Sequence, residues 1–290
     1  MPYRSPVADI LFSLRHVAGL DAAIDAGAFG DLDAATAAAV IEEAGKFAQD
    51  KIAPLNRVGD KEGSRCENGT VTTPPGFRDA YRLWAAAGWA GVTAPAAIGG
   101  MGLPFSVNAA CSEIWAGACM GFALCPLLSE GAVHALHAHG APELRAAYLP
   151  KLVSGEWTGT MNLTEPQSGS DLGGLKTRAE PAGDGGYKIV GQKIFITYGE
   201  HDMADNIVHL VLARLPGAPA GSRGISLFLV PKFLPRPDGS PGERNDLRCA
   251  SVEHKLGIHA SPTCVMIYGD NGGAKGWLVG EAKRALRRCS

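Results

Sequence analysis

No Cys-x-x-Cys pair occurs among the seven cysteines, which are Cys66, Cys111, Cys119, Cys125, Cys249, Cys264 and Cys289. An odd number without short spacings fits neither a zinc ribbon nor a secreted disulfide framework. Reduced thiols and a cytoplasmic chain are expected. Charge of one sign is not in excess either. The 27 Lys+Arg and 29 Asp+Glu leave a net charge of −2, and the pI is about 6.4. That balance argues against a broad nucleic-acid surface. Long apolar runs are missing. Ile10-Leu11-Phe12 is cut short by Ser13 and Arg15, too early for a signal-peptide core. Ala116–Leu128 contains Pro126 and falls short of the roughly 20 residues a membrane span needs. There is no Gly-x-x-x-x-Gly-Lys-Ser/Thr phosphate loop, no Gly-x-Ser-x-Gly nucleophile elbow, no Gly-X-Y period and no internal repeat.

What is present is an ordinary globular composition, 46% hydrophobic and 19% charged, in 290 residues. That length predicts two domains. The hydrophobic period changes near residue 156, from 3.6 to 2. Asp33 is placed to cap a helix over 34–51, with Val40, Ala44 and Phe47 on one face and Pro54 as its stop. A second helix starts at Pro75 and presents Phe77, Tyr81 and Trp84 at i, i+4, i+7. Residues 106–125, 130–139 and 143–153 make three more. Beyond Trp157, strands are expected at 158–164, 176–181, 187–190, 194–197, 207–214, 225–230 and 263–268. Gly191-Gln192-Lys193 reads as a turn, and 235–246 as a polar, mobile loop. The fold class is α+β. A helical bundle domain (34–156, after an extension 1–33) is followed by an antiparallel β-barrel or sandwich (157–281) and a basic tail (282–290).

His134, His137 and His139 cluster on one helix, but no fourth ligand is near in sequence, so no metal site is expected. Gly99-Gly100-Met101-Gly102 reads as a tight loop, and the cysteines of 111–125 as small core residues. The specific stretch is Met161-Asn162-Leu163-Thr164-Glu165-Pro166-Gln167-Ser168-Gly169-Ser170-Asp171. Here a strand runs into a turn dense with hydroxyls, glycine and backbone N–H groups. Such a turn suits a ring bearing acceptor atoms, or a phosphate. About 20 residues on, Lys193-Ile194-Phe195-Ile196-Thr197 places an aromatic ring and a hydroxyl on one strand. Each feature alone is also an ordinary turn or amphipathic strand; the pair in this order is the signal.

Together these residues resemble the acyl-CoA dehydrogenase family. Leu163-Thr164-Glu165-Pro166 with Gly169-Ser170-Asp171 is similar to its first flavin signature, and Lys193 to Thr197 to its second. Gly155-Glu156-Trp157 and Leu256-Gly257-Ile258-His259-Ala260-Ser261-Pro262-Thr263 resemble flanking family segments, and the resemblance covers residues 3–281. Tyr3-Arg4-Ser5-Pro6 and Thr73-Pro74-Pro75-Gly76-Phe77 resemble the longer-chain branch, which includes enzymes acting on 3-methylthiopropanoyl-CoA.

The resemblance implies FAD as cofactor, an acyl-CoA thioester as substrate and α,β-dehydrogenation as the reaction. It implies an electron-transfer flavoprotein or similar acceptor and a homo-oligomer. Met161, Leu163, Thr164, Gly169, Ser170, Phe195, Ile196 and Thr197 would contact the flavin, with Ser170 also touching substrate. Phe195 replaces the family's common tryptophan, keeping a stacking face without the indole N–H; Gln167 stands where glycine is frequent. The reaction needs a carboxylate base at Cα. In the family that glutamate belongs to a C-terminal four-helix domain, which this sequence is expected to lack. Glu165 is expected to be a turn residue, not a substitute base. Ala285 stands where the family pattern has glycine, and nothing resembling the family's next long helix follows, so a truncated or frame-shifted product, or a fragment, inactive by itself, is the expectation. Two alternatives stand beside it: a non-catalytic acyl-CoA- or flavin-binding remnant, and an acyl-CoA oxidase.

Overall fold

The computed structural model describes residues 2–283, so most of the basic tail read at 282–290 lies outside the described residues. Helices α1 (Val7–His16), α2 (Leu20–Asp25) and α3 (Ala34–Phe47) come first. The Asp33 side chain accepts from Thr36 N at 2.7 Å and so caps α3. Pro54 does not stop the helix. A π-helical turn, Ala48–Ile52, widens the ladder so that Ala53 N reaches Ala48 O, and Pro54 falls in the first turn of α4 (Ala53–Glu62). There its missing N–H leaves no carbonyl wanting. A small hairpin, β1 (Arg65–Glu67) and β2 (Thr70–Thr72), precedes α5 (Phe77–Ala86).

The two helices expected at 106–125 and 130–139 are one element, α6 (Phe105–His139), with a backbone break at Cys119 and Pro126 inside it. Proline removes one helix N–H and crowds the turn before it. Side chains take up carbonyls around it: Tyr198 Oη donates to Gly121 O, and Ser129 Oγ donates to Cys125 O. By length and composition α6 could cross a membrane; 56% of its most apolar window is buried inside this protein, and it carries Glu113 and Glu130. Helix α7 (Pro142–Val153) follows. Ile41, Ile52, Phe77, Tyr81, Trp84, Trp115 and Phe122 form the helical core.

The second region holds β3 (Trp157–Asn162), β4 (Arg178–Pro181), β5 (Tyr187–Thr197), β6 (Asn206–Arg214), β7 (Ile225–Pro231), β8 (Phe233–Pro235), β9 (Pro241–Arg244), β10 (Leu247–Val252), β11 (Thr263–Tyr268) and β12 (Ala274–Val279). Strands β5, β4, β6, β7 and β12 pair in a ring that closes on β5. Strand β3 adds to β6, and β11 with β10 add to the far half of β5. The pairing is not purely antiparallel: β3 runs parallel to β6, and β4 meets β6 in parallel at Arg178–Arg214. Both faces of β6 are buried, with Val208, Leu210 and Leu212 toward the helices and Val211 and Ala213 inside the barrel. That accounts for its unbroken apolar run.

Gly191-Gln192-Lys193 is not a turn but the middle of β5, where the strand leaves the barrel sheet and joins β11. Only glycine fits this crossing: φ is +158°, and an added Cβ would stand 2.3 Å from Thr177 Oγ1. Residues 233–244 are not a loose loop but the β8–β9 hairpin.

Candidate functional site

The polar turn after β3 is tied from beneath. Glu165 is 3% exposed, and its carboxylate accepts from Lys176 N (2.6 Å), Thr177 N (3.0 Å), Gln167 Nε2 (2.6 Å) and Lys193 Nζ (2.8 Å). Lys193, fully buried on β5, also donates to Leu163 O at 3.0 Å. Glu165 and Ser168 exchange backbone hydrogen bonds, and Ser168 Oγ donates to Asp171 O. One buried ion pair therefore joins the two sequence motifs. Burial alone would raise the Glu165 carboxyl, but the Lys193 charge and the hydrogen bonds from Lys193, Thr177 and Lys176 hold it at about 2. Such a group is spent as a carboxylate and has no capacity as a base. This agrees with its reading as a turn residue.

That depression carries a pH prediction. A carboxyl lowered on folding contributes stability above its unfolded pKa, near 4.5, and loses it as pH falls toward 2. A drop from 4.5 to about 2 corresponds to roughly 3 kcal/mol. The stability difference between the native chain and Glu165→Gln, read from urea midpoints, is expected to be full above pH 5 and to vanish toward pH 2. A difference independent of pH over that window would show that the charge is not the stabilising feature.

On the outer side of this tie the predicted residues come together. Ile194 N donates to Thr164 O at 2.9 Å, and Thr160 Oγ1 donates to Thr197 O at 2.7 Å, so the two motifs run side by side. Thr164 and Thr197 are then about three strand residues, roughly 10 Å, apart along β5. An added Cβ at Gly169 would touch Thr164 Cγ2 at 3.4 Å, which places the returning turn against Thr164. The ladder between β5 and β11 slips between Cys264 and Met266, leaving Ile194 and Phe195 opposite one residue. Phe195 occupies the left-handed region at φ +59° and is 57% exposed. A bulge of this kind re-aims one side chain without disturbing the next. Ile196 is accordingly buried in the β core, and of the predicted set it offers only its backbone. Ser170 is exposed, and Met161 and Leu163 are half-buried against the helix-facing core. Tyr198 is strained too, at φ +53°, held by its N–H to Pro262 O and its hydroxyl to Gly121 O. Two non-glycine residues in the left-handed region thus lie three positions apart, each held there by its surroundings.

Met161 and Thr160 floor a cleft of about 680 Å³ between β3, residues 93–95 and the second half of α6, including Leu127, Leu128, Gly131 and His134. Close approach of α6 makes its wall: Gly159 N donates to Ser129 Oγ, and an added Cβ at Gly159 would stand 2.3 Å from Ala132 Cβ. Among the described residues no carboxylate lines this cleft. Sequence reasoning missed the polar cluster beside it. Glu130 accepts from Asn108 Nδ2 with both oxygens (2.7 and 2.8 Å) and from Thr93 Oγ1 (3.1 Å), while Thr93 Oγ1 also meets His134 Nε2 at 3.0 Å. Thr93 and Leu127 separate the cleft from an inner cavity of about 270 Å³ lined by Trp84, Trp89, Trp115, Met120 and Glu130. Only the i, i+4 spacing of Glu130 and His134 hinted at it. Among the described residues no group of three or more His, Cys, Asp or Glu could hold a metal ion.

A helical bundle set on a β barrel, with an exposed aromatic ring and hydroxyls at the strand ends beside a cleft between the two, is the architecture these residues define. The comparisons make it specific. Residues 34–156 match the family model for acyl-CoA dehydrogenase, N-terminal domain, and residues 160–270 the model for acyl-CoA dehydrogenase, middle domain. The chain belongs to the acyl-CoA dehydrogenase family, whose members are FAD-dependent oxidoreductases. It is 50% identical over 287 residues to 3-methylmercaptopropionyl-CoA dehydrogenase of Ruegeria pomeroyi, covering 99% of this chain and 48% of that protein. Its fold is similar to that of Caenorhabditis elegans ACDH-11 in complex with C11-CoA (TM-score 0.76, 20% identity, 99% of this chain and 48% of that one). It is also similar to an acyl-CoA dehydrogenase complexed with FAD from Bacillus anthracis (TM-score 0.70, 24% identity, 88% and 39%). The chain spans about half the length of the Ruegeria relative.

Proposed function

We propose that this chain carries the flavin-facing and thioester-facing halves of an FAD-dependent acyl-CoA dehydrogenase site. The observation that supports it most is the exposed Phe195 ring on its strained bulge, beside Thr164 and Thr197. Among the described residues the hydroxyls of Thr164, Ser170 and Thr197 have no protein partner, so they are free to meet a ligand's acceptor atoms. Met161, Leu163, Thr164, Gly169, Ser170, Phe195, Ile196 and Thr197 are assigned to the flavin, Ile196 through its backbone and Ser170 to the thioester as well. Bound FAD would supply the hydride acceptor for Cβ. The chain's own part is to stack, orient and hydrogen-bond the ring, and to seat the acyl group in the cleft beside Met161.

Among the described residues no carboxylate lines that cleft, so none of them is assigned here as the proton acceptor for Cα. The same observation favours a second reading, in which residues 1–290 alone bind acyl-CoA or flavin without turnover. The family resemblance supports an electron-transferring flavoprotein as acceptor and a homo-oligomeric assembly for the whole protein, and the odd set of seven cysteines without short spacings supports a reducing, cytoplasmic setting. The test is an assay with acyl-CoA thioesters and an artificial electron acceptor, run on residues 1–290 alone and on the same residues fused to the remaining half of the Ruegeria relative.

A further inference from the structure

Where the helical half meets the β half, two thiols touch. Cys66 lies on β1 and is half-buried; Cys249 lies on β10 and is buried. Their sulfurs are 3.8 Å apart although the residues are separated by 183 positions in the chain. The Asn68-Gly69 turn of the β1–β2 hairpin rests on β10, since an added Cβ at Gly69 would reach Cys249 O at 3.4 Å. A third thiol, Cys264 on β11, is the register partner of Ile196, inside the segment assigned to the flavin. Cys264 neighbours Cys249, but across the β10–β11 ladder Cys249 faces Met266 and Cys264 faces Val252.

We infer that Cys66 and Cys249 form an oxidation site, at which a peroxide converts the two thiols into a disulfide that clips the helical domain's hairpin to the β10 edge strand. A disulfide has its sulfurs about 2.05 Å apart, so closure from the observed contact needs a relative shift of under about 2 Å. A two-stranded hairpin of three-residue strands can supply that shift. The chemistry balances in two steps. The Cys66 thiolate attacks one peroxide oxygen, the O–O bond breaks, and Cys66 becomes a sulfenic acid as hydroxide leaves. The Cys249 sulfur then attacks the Cys66 sulfur, the S–S bond forms, and the sulfenic oxygen leaves as water with the Cys249 proton. Two electrons pass from the thiol pair to peroxide, which ends as two waters. A small dithiol reverses the bond by exchange.

Cys66 is the attacking thiol because it alone of the three has solvent access. Burial, then the neighbouring Cys249, raise its thiol to about 11. The groups facing the pair are Cys264 of β11 and the buried Glu200 carboxylate, itself paired with Lys232 and Arg244. Closure is therefore slow near neutrality and speeds up by about tenfold per pH unit toward that value. The clip would brace β10 and, through it, β11, the strand paired with the Phe195–Thr197 segment.

The experiment needs no flavin, so it stands or falls apart from the functional reading. Residues 1–290 are treated with hydrogen peroxide, unfolded, and their thiols counted, then digested without reductant and mapped by mass. The expected result is loss of the Cys66 and Cys249 thiols, one linked peptide pair holding the two, and full recovery with dithiothreitol. Closing so long a loop should raise the melting temperature by roughly 5–10 °C. Cys66→Ser and Cys249→Ser should each abolish the link, and Cys264→Ser should keep it. A Cys249–Cys264 link, thiol loss that survives in Cys66→Ser, or oxidation of Cys66 without a link would overturn the proposal. The peptide map of the unsubstituted chain decides the matter even if a variant fails to fold.

Discussion

Glu165→Ala is expected to lower folding stability by about 3–5 kcal/mol, because it strands a buried charge. Lys193 is fully buried and would keep only Leu163 O as a partner, while Lys176 N and Thr177 N would lose their acceptor. Lys193→Met is expected to cost less, since Glu165 retains three of its four donors. Combining Lys193→Met with Glu165→Gln removes both charges and keeps an oxygen for the backbone donors. The double variant should therefore recover about 1–3 kcal/mol relative to the sum of the single changes. Urea unfolding followed by far-UV circular dichroism provides the measurement. A loss below about 1 kcal/mol for Glu165→Ala would mean that water reaches Lys193 and that the pair does not tie the motifs together. The sign matters for function as well as stability. The ion pair fixes Leu163 and Thr164 against β5, so loosening it spoils the spacing of Thr164, Phe195 and Thr197 before the fold is lost.

The second large effect concerns turnover. Residues 1–290 assayed alone, with excess FAD and an artificial acceptor, are expected to fall at least about 10²–10⁴-fold below the chain fused to the Ruegeria relative's remaining half. That is the usual effect of a missing positioned base. Loss of the surface that would hold substrate against flavin from the other side adds to it, and such orientation effects can reach roughly 7–11 kcal/mol. Equal rates would place a base among the described residues. Glu130, the carboxylate held by Asn108 and Thr93, would then be the first to replace with glutamine.

Much of this arrangement is legible in the residues, and the illegible part has a physical pattern. Local chemistry reads well. Asp33 caps its helix, Glu165 is a turn residue, and the two motifs lie side by side. Contacts made over long sequence distances read poorly. Gly191 looks like a turn glycine, and only the approach of Thr177 shows that it lets one strand serve two sheets. The bulge that exposes Phe195 arises from a slip against β11, some 70 residues on, and nothing in Lys193–Thr197 announces it. Parallel pairing of β3 with β6 is a tertiary choice, since alternation in a strand does not encode its partner's direction. The Glu130 cluster joins side chains from residues 93, 108, 130 and 134, which a local pattern shows only as a Glu–His pair on a helix.

In the function proposed above, residues 161–170 and 193–197 form one flavin-facing surface. The most direct test is a titration of isotope-labelled residues 1–290 with FAD, followed by amide and aromatic NMR shifts up to the solubility limit of the cofactor. Contact from one side only predicts weak, fast-exchanging binding. Shifts are expected to concentrate at Leu163, Thr164, Gly169, Ser170 and Phe195–Thr197, with the Phe195 ring signals moving upfield as they stack. Shifts centred elsewhere on the molecule, or none at any concentration reached, would contradict the proposal.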